Sequence, residues 1–191
     1  CRRLKKNVYQ MMQAFGVSRS LVMCFALVLC KLSDAIFKNR FYSLEKAARA
    51  YDIPLKKVSK AHSIEVCDLI ESHALENIFT QVSFKIKPPL LYQTTFLNKH
   101  CGLLPAYKGV YPVFWAMLHN EATLGTTIHL LDENFDTGHI LSQACIPNQG
   151  MTFFKAYHLL YDRTADLLNK MCVTDTTSFS EKMTPSYYSY P

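Results

Sequence analysis

The chain has 191 residues, 49% of them hydrophobic and 19% charged, which is enough to bury a core without disulfide staples and too apolar for a disordered or fibrous protein. Its net charge of +6 suggests a polyanionic partner at first sight, but four of these charges sit on Arg2, Arg3, Lys5 and Lys6, so the arm reads first as a solvated flank and second as a contact for phosphate. Seven cysteines, an odd number with no Cys-x-x-Cys pair, exclude a disulfide framework or zinc ribbon and point to a reducing, cytoplasmic setting.

From Asn7 to Phe37 the pattern is helical, and "LVMCFALVLC" (Leu21 to Cys30) is apolar on more than one side, which predicts a buried helix. Those ten residues are half of the roughly 20 needed to cross a bilayer, so no membrane partner is expected. No small-residue cleavage site follows, and Cys1 in place of Met reads as a start inside a longer gene product.

Ser43 offers an N-cap for the helix "LEKAARAY", stopped near "DIP". Leu55 to Ser59 reads as a short strand. Ser63 caps a helix to about Ala74, and Asn77 to Phe84 reads as a β-branched strand buried on both faces. "KIKPPLL" is a prolyl turn leading to a short helix or coil, because Pro88 and Pro89 cannot sit in a central strand. Thr94 to Lys99 is the next strand. Pro112 suits the first turn of the helix "VFWAMLHNEA".

Gly125 to Leu131 and His139 to Ile146 alternate as strands, and Thr152 opens a last helix to about Met171. Strands alternating with helices over residues 43–171 predict an α/β domain with an open, mostly parallel sheet and helices on both faces. The seven-residue link between the last two strands is too short for a parallel crossover, so that pair should be an antiparallel hairpin. Residues 172–191 read as a tail. Gly16 is the only glycine before Gly102, so no glycine loop can cradle a dinucleotide or nucleoside triphosphate.

Asn98 and His100 lie two apart at the end of a strand, so both side chains point to one face. At that end of an open α/β sheet ligands bind, and an amide and an imidazole there make a pair of donors for a developing oxyanion. Asp132, Glu133 and Asp136 fill the hairpin loop, where a carboxylate could orient His100 and accept a proton. His129 is a further candidate, or a structural histidine.

Cys101, adjacent to His100 on a strand, points to the opposite face and makes a poor nucleophile–base pair with it. His100, His129, Asp136 and His139 lack metal-ligand spacing, so no metal is expected. Phe114, Trp115 and the aromatics from Phe153 to Tyr161 fall at helical spacing and read as core.

The stretch "LNKHCGLLPAYKGVYPVFWAMLHNEATLGTTIHLLDENFDTGHILSQ" (97–143) resembles the core of the formyltransferases that use 10-formyltetrahydrofolate, with weaker similarity back to Ser43. The family pattern is Asn-x-His, a Pro-Ser-Leu-Leu-Pro-like turn and Gly, then a Gly-Thr/Val-x-x-His strand and an Asp-x-Gly loop. Cys101 and Gly102 replace its Pro-Ser. The resemblance implies a Rossmann-like formyltransferase fold, with Asn98, His100 and Asp136 as the catalytic trio and His129 and Gly109 in support. It also implies a pterin site near Phe84, Ile86 and Asp132, bound largely through backbone groups.

The reaction it implies is formyl transfer to a primary amine, without a metal. The favoured acceptor is a nucleotide-linked amino sugar or another small amine. Methionyl-tRNA, with the basic arm as a contact, is the alternative. Residues 1–42 are expected to be a helical extension, or to replace the family's opening βα unit. A truncated, non-catalytic chain that has lost that unit is the remaining alternative.

Overall fold

The computed structural model describes residues 9, 12, 13, 16–36, 41, 43–58, 60–173 and 184–189, and the chain divides into two units, Cys1–Lys57 and Val58–Tyr190. In the first unit, helix α1 (Val17–Ile36) forms where the apolar run predicts it, although its expected beginning and end fall partly outside the described residues. The expected burial is not found: Leu21, Val22, Phe25, Leu27, Val28 and Leu29 are exposed. A helix apolar on every side is covered only when other elements surround it, and this unit's one other described helix has seven residues.

That second helix, α2 (Leu44–Ala50), is capped as expected, with the Ser43 hydroxyl accepting from the Lys46 N–H at 3.3 Å. It ends in a Schellman turn. Asp52 is left-handed, and the Ile53 N–H returns to the Ala48 carbonyl at 2.8 Å. Leu55 to Val58 is coil and not the expected strand, and Ser59 lies outside the described residues.

The second unit is built on a four-stranded sheet in the order β1-β2-β4-β5. Its strands are β1 (Asn77–Thr80), β2 (Thr95–His100), β4 (Thr123–Leu130) and β5 (Ile140–Pro147). Strand β1 is shorter than expected and alternates between exposed and half-buried residues, as suits an edge strand, and Phe84 lies beyond its end. A 3₁₀ turn (Leu90–Tyr92) follows the two prolines.

The fold is α/β with an open sheet, as expected, and the late hairpin is antiparallel. The mostly parallel arrangement holds for β1 with β2, whereas β2 also pairs antiparallel with β4. The physical reason lies in the connection. Between β2 and β4 the chain makes a turn, the two-residue strand β3 (Lys108–Gly109) and helix α4 (Pro112–Leu118), and returns from the same end of the sheet instead of crossing over.

Helices cover both faces. Helix α5 (Phe153–Val173) seals the face that carries Leu124, Thr126 and Ile128: Ala156 and Leu160 are fully buried, and Thr164 shares a 2.8 Å hydrogen bond with Thr126. Burying side chains of the size of Leu124, Ile128 or Leu160 contributes about 1.5–3 kcal/mol each. Lys99 turns to this face as well, its ammonium 2.8 Å from the centre of the Tyr161 ring. On the opposite face, helix α3 (Ile64–Ser72) packs Ile70 with Ile86, Leu90, Leu91 and Phe96.

The far end of that second face is left to Asn98, His100, Thr127 and His129. The expected tail is partly structured: α5 runs to Val173, and strand β6 (Tyr187–Tyr188) pairs parallel with β3. Among the described residues no helix is long and apolar enough to cross a membrane.

Gly138 closes the hairpin loop where no side chain fits, since a Cβ there would stand 1.8 Å from the Leu130 carbonyl oxygen. Gly138→Ala must therefore spread the β4–β5 hairpin, and urea unfolding is expected to show a loss of about 1–3 kcal/mol.

Candidate active site

Antiparallel register places Asn98 opposite His129 and His100 opposite Thr127. All four are therefore on one face, and all four are buried. The pairing of β4 with β5 is irregular between Ile128 and His129, next to the histidine that joins the cluster. The Leu-Leu-Pro turn is fixed from the same strand: the Thr127 hydroxyl donates to the Gly102 carbonyl at 2.6 Å and accepts from the Leu104 N–H at 3.2 Å. Gln143 donates to the Leu104 carbonyl at 2.8 Å.

The turn brings the chain back over the end of β2, where the Tyr107 carbonyl accepts from His100 Nε2 at 2.7 Å. Tyr107 itself is left-handed, φ 55°, a conformation that costs a bulky residue about 1–2 kcal/mol and persists because its surroundings fix it. Asp136 enters from the β4–β5 loop, also left-handed at φ 53°. One of its oxygens accepts from the Gly109 N–H at 2.8 Å. That carboxylate stands 3.6 Å from His100 Nδ1 and 3.6 Å from His129 Nε2.

Hydrogen-bond chemistry then fixes the orientations. The Asn98 carbonyl oxygen faces the Thr80 hydroxyl at 3.1 Å and the Val82 N–H at 3.4 Å, so its NH2 points to His129 Nε2, 3.4 Å away. A carbonyl only accepts, so His100 carries its proton on Nε2, toward Tyr107. His129 carries its own on Nδ1, toward the Leu130 carbonyl at 2.8 Å.

Burial pushes both imidazoles below their ordinary pKa, and this outweighs the upward pull of the Asp136 carboxylate and of the carbonyls that they meet. Both rings are therefore neutral at pH 7. Each turns an unprotonated nitrogen toward one carboxylate, so three acceptors converge with a single amide donor beside them. Such an arrangement is ready to take up a proton and to donate, through Asn98, to an oxygen that gains charge.

The formyl transferase family description matches residues 42–173. The chain belongs to this family. Among curated relatives it is 34% identical over 113 residues to the methionyl-tRNA formyltransferase of Azobacteroides pseudotrichonymphae genomovar. CFP2, covering 56% of this chain and 34% of that one. It is 36% identical over 132 residues to that of Synechococcus sp. (strain JA-3-3Ab), covering 60% and 41%. The chain thus spans roughly a third to two-fifths of the length of these relatives.

Solved structures share the formyltransferase fold. Phosphoribosylglycinamide formyltransferase from Streptococcus pneumoniae TIGR4 superposes with a TM-score of 0.57 at 22% identity, over 71% of this chain and 83% of that one. The formyltransferase PseJ from Anoxybacillus kamchatkensis, in complex with UDP-4,6-dideoxy-4-formamido-L-AltNAc and tetrahydrofolate, gives 0.53 at 22% identity, over 70% of each chain.

Within this chain, Asn98, His100, Asp136 and His129 are drawn together, and Gly109 meets them through its backbone N–H. The residues expected at a pterin site lie in the same unit, and the Asp132 carboxylate is near enough to His129 to pull its pKa upward. Ile86 is buried in the α3 cluster, which leaves only its backbone for a ligand. Phe84 is exposed, its ring 6.2 Å from that of His62. Asp132 holds its own loop, accepting from the Asn134 N–H at 2.8 Å and the Thr137 hydroxyl at 2.7 Å. Among the described residues no group of three potential metal ligands is found.

Sequence reasoning missed Thr80, which helps to set the Asn98 amide, and the Tyr107 carbonyl, which sets His100. Thr80 becomes legible only once β1 is known to pair with β2, and a carbonyl carries no sequence signal.

The lowered histidine pKa values make stability depend on pH. Above about 6.5 both rings are neutral folded or unfolded. Below it the unfolded chain binds protons that the folded chain does not, so stability falls with pH until the folded values are passed. Denaturant melts from pH 7 to 5 should show that fall, with a slope of up to about 1.4 kcal/mol per pH unit for each histidine. His129→Gln should remove one proton's share of the slope.

Proposed function

We propose that this chain carries the chemical centre of a formyl transfer from 10-formyltetrahydrofolate to a primary amine. The observation that carries the reading is that two unprotonated imidazole nitrogens face Asp136 while the Asn98 amide stands beside one of them. Formyl transfer needs these two elements: a donor for the carbonyl oxygen as the amine attacks, and a base for the proton that the amine nitrogen must lose.

Asn98 has one amide hydrogen on His129 and a second to offer the oxygen. The proton leaving the amine enters the acceptor cluster, where His100 becomes an imidazolium between the Tyr107 carbonyl and Asp136. In that state Asp136 stabilises the Nδ1–H, Asn98 remains the donor for the oxyanion, and the same proton returns to the folate nitrogen as its bond to the formyl carbon breaks. The products are a formamide and tetrahydrofolate, and no proton is gained or lost.

The donor supplies the formyl carbon and a leaving nitrogen. The chain supplies orientation, a dry floor made by the Leu-Leu-Pro turn, and proton storage. Backbone groups of the 132–137 loop and of residues 84–86 are the proposed pterin contacts.

For the acceptor, methionyl-tRNA has the stronger support, since the sequence relatives at 34% and 36% identity bear that name. A nucleotide-linked amino sugar, the earlier preference, rests only on the fold shared with PseJ.

The test is incubation with 10-formyltetrahydrofolate and, separately, methionyl-tRNA, a nucleotide-linked amino sugar and phosphoribosylglycinamide, reading formylated product by mass spectrometry. Product is expected with one of them. Asn98→Ala should lower kcat about 10²–10³-fold through the lost donor, and Asp136→Asn about 10²–10⁴-fold through the lost charge that stabilises the His100 imidazolium. A folded chain that formylates none of the three would sink the catalytic reading and favour a non-catalytic one.

A further inference from the structure

The backbone segment that organises the cluster has two edges. Along its inner edge the Tyr107 carbonyl accepts from His100, and the Gly109 N–H donates to Asp136. Along its outer edge the Lys108 N–H donates to the Ser186 carbonyl at 2.9 Å, and the Val110 N–H to the Tyr188 carbonyl at 3.1 Å. Tyr107 and Gly109 are left-handed at φ 55° and 95°, so the link is made by the peptide plane: the Tyr107 carbonyl and the Lys108 N–H belong to one planar trans peptide and point opposite ways, and pairing the N–H outward turns the carbonyl inward. The Tyr107 N–H also donates to the Ser186 hydroxyl at 2.9 Å, and the Ser186 N–H returns to the Pro105 carbonyl at 3.4 Å.

Side chains reinforce the pairing. The Tyr188 ring lies between those of Tyr107, at 5.3 Å and 12°, and Trp115, at 5.2 Å and 22°, both stacked. The left-handed Tyr107 is thus held by its carbonyl on one side and its ring on the other. Gly109 fits the same picture, since a Cβ there would stand 2.1 Å from the Tyr188 carbonyl oxygen. Its lack of a side chain lets the second strand approach.

The family match ends at residue 173, before this strand begins. We infer that residues Pro185 to Ser189 are a positioning element for the candidate site, with Tyr188 as its anchor: they clamp residues 107–110 so that Tyr107 and Gly109 meet His100 and Asp136. The effect on catalysis rests on the formyl-transfer reading. The effect on His100 and Gly109 does not.

The test uses the full chain with Tyr188→Ala, Tyr188→Phe and Ser186→Ala, each first shown to be folded by circular dichroism. Three quantities are read: hydrogen exchange at the Gly109 amide, the NMR titration of the His100 imidazole, and kcat and KM for formyl transfer. In Tyr188→Ala the Gly109 amide should exchange at least about tenfold faster. His100 should titrate closer to an ordinary imidazole, because water reaches a ring now held down mainly by burial. The kcat should drop about tenfold or more with little change in the amine KM. Tyr188→Phe keeps the stacked ring and should restore all three.

If Tyr188→Ala does not fold, Ser186→Ala, which removes one hydrogen bond, should show the same directions at smaller size. A folded Tyr188→Ala or Ser186→Ala with parental Gly109 exchange and His100 titration would overturn the inference. Should the parent transfer no formyl group, the function reading fails on its own, and the exchange and titration decide the role of the strand.

Discussion

The 2.8 Å hydrogen bond from the Gly109 N–H to the Asp136 carboxylate joins two loops directly at the candidate site. One comes from the connection after β2 and the other from the β4–β5 hairpin, and the candidate site exists only where they meet. Each loop is internally fixed before it reaches the other. Asp132 caps its own turn through Asn134 and Thr137, and Gly138 lets that turn sit against the Leu130 carbonyl. On the other side, Thr127 and Gln143 hold the Leu-Leu-Pro turn, and β6 holds residues 107–110. A carboxylate can stand between two buried imidazoles because its backbone is determined from both directions.

The energetics of that cluster are unfavourable locally and useful chemically. Two imidazoles out of water lose hydration, and each recovers part of it through one carbonyl, Tyr107 for His100 and Leu130 for His129. Neither ring then has a proton left for Asp136 while it stays neutral. The cluster is one proton short of satisfaction: burial lowers the affinity of both rings for a proton, the Asp136 carboxylate recovers part of it, and a ring that takes a proton up gives it back readily. Asn98 lies outside that competition. Its carbonyl end is engaged by Thr80 and Val82, which leaves its donor end aimed at the chemistry.

Those parts of the fold and site that depend on local chemistry were legible in the sequence. Ser43 capping α2, Pro112 opening α4, the short link demanding a hairpin, and the shared face of Asn98 and His100 all follow from rules that act within a few residues. What failed depended on distant partners. Leu55 to Val58 has strand-like residues but is coil, since a strand forms only where another pairs with it. Antiparallel pairing of β2 with β4 is decided by the path of the chain around β3 and α4, which periodicity does not report. The apolar faces of α1 promise burial only if something surrounds them.

The polar segment reads only as a tail, because its Ser, Thr and Tyr residues show no apolar period. Tyr188 nevertheless finds two aromatic rings 73 and 81 positions earlier in the chain.

The division of labour in the site also explains why its chemistry and its acceptor separate so cleanly. Under the proposed formyl transfer, Asn98, His100, His129 and Asp136 would meet only the groups that every primary amine and every formyl donor share: a nitrogen that loses a proton and an oxygen that gains charge. Nothing in that set distinguishes an aminoacyl ester from an amino sugar. Proteins named for methionyl-tRNA, phosphoribosylglycinamide and a nucleotide-linked sugar can therefore share one sheet end, and discrimination must come from surfaces that touch the rest of the acceptor. In this chain, β6 is the described element that both borders residues 107–110 and lies beyond the family match. A contact made there would act on the backbone that aims His100 and Asp136, so whatever follows the family core in sequence has a direct mechanical route to the chemistry.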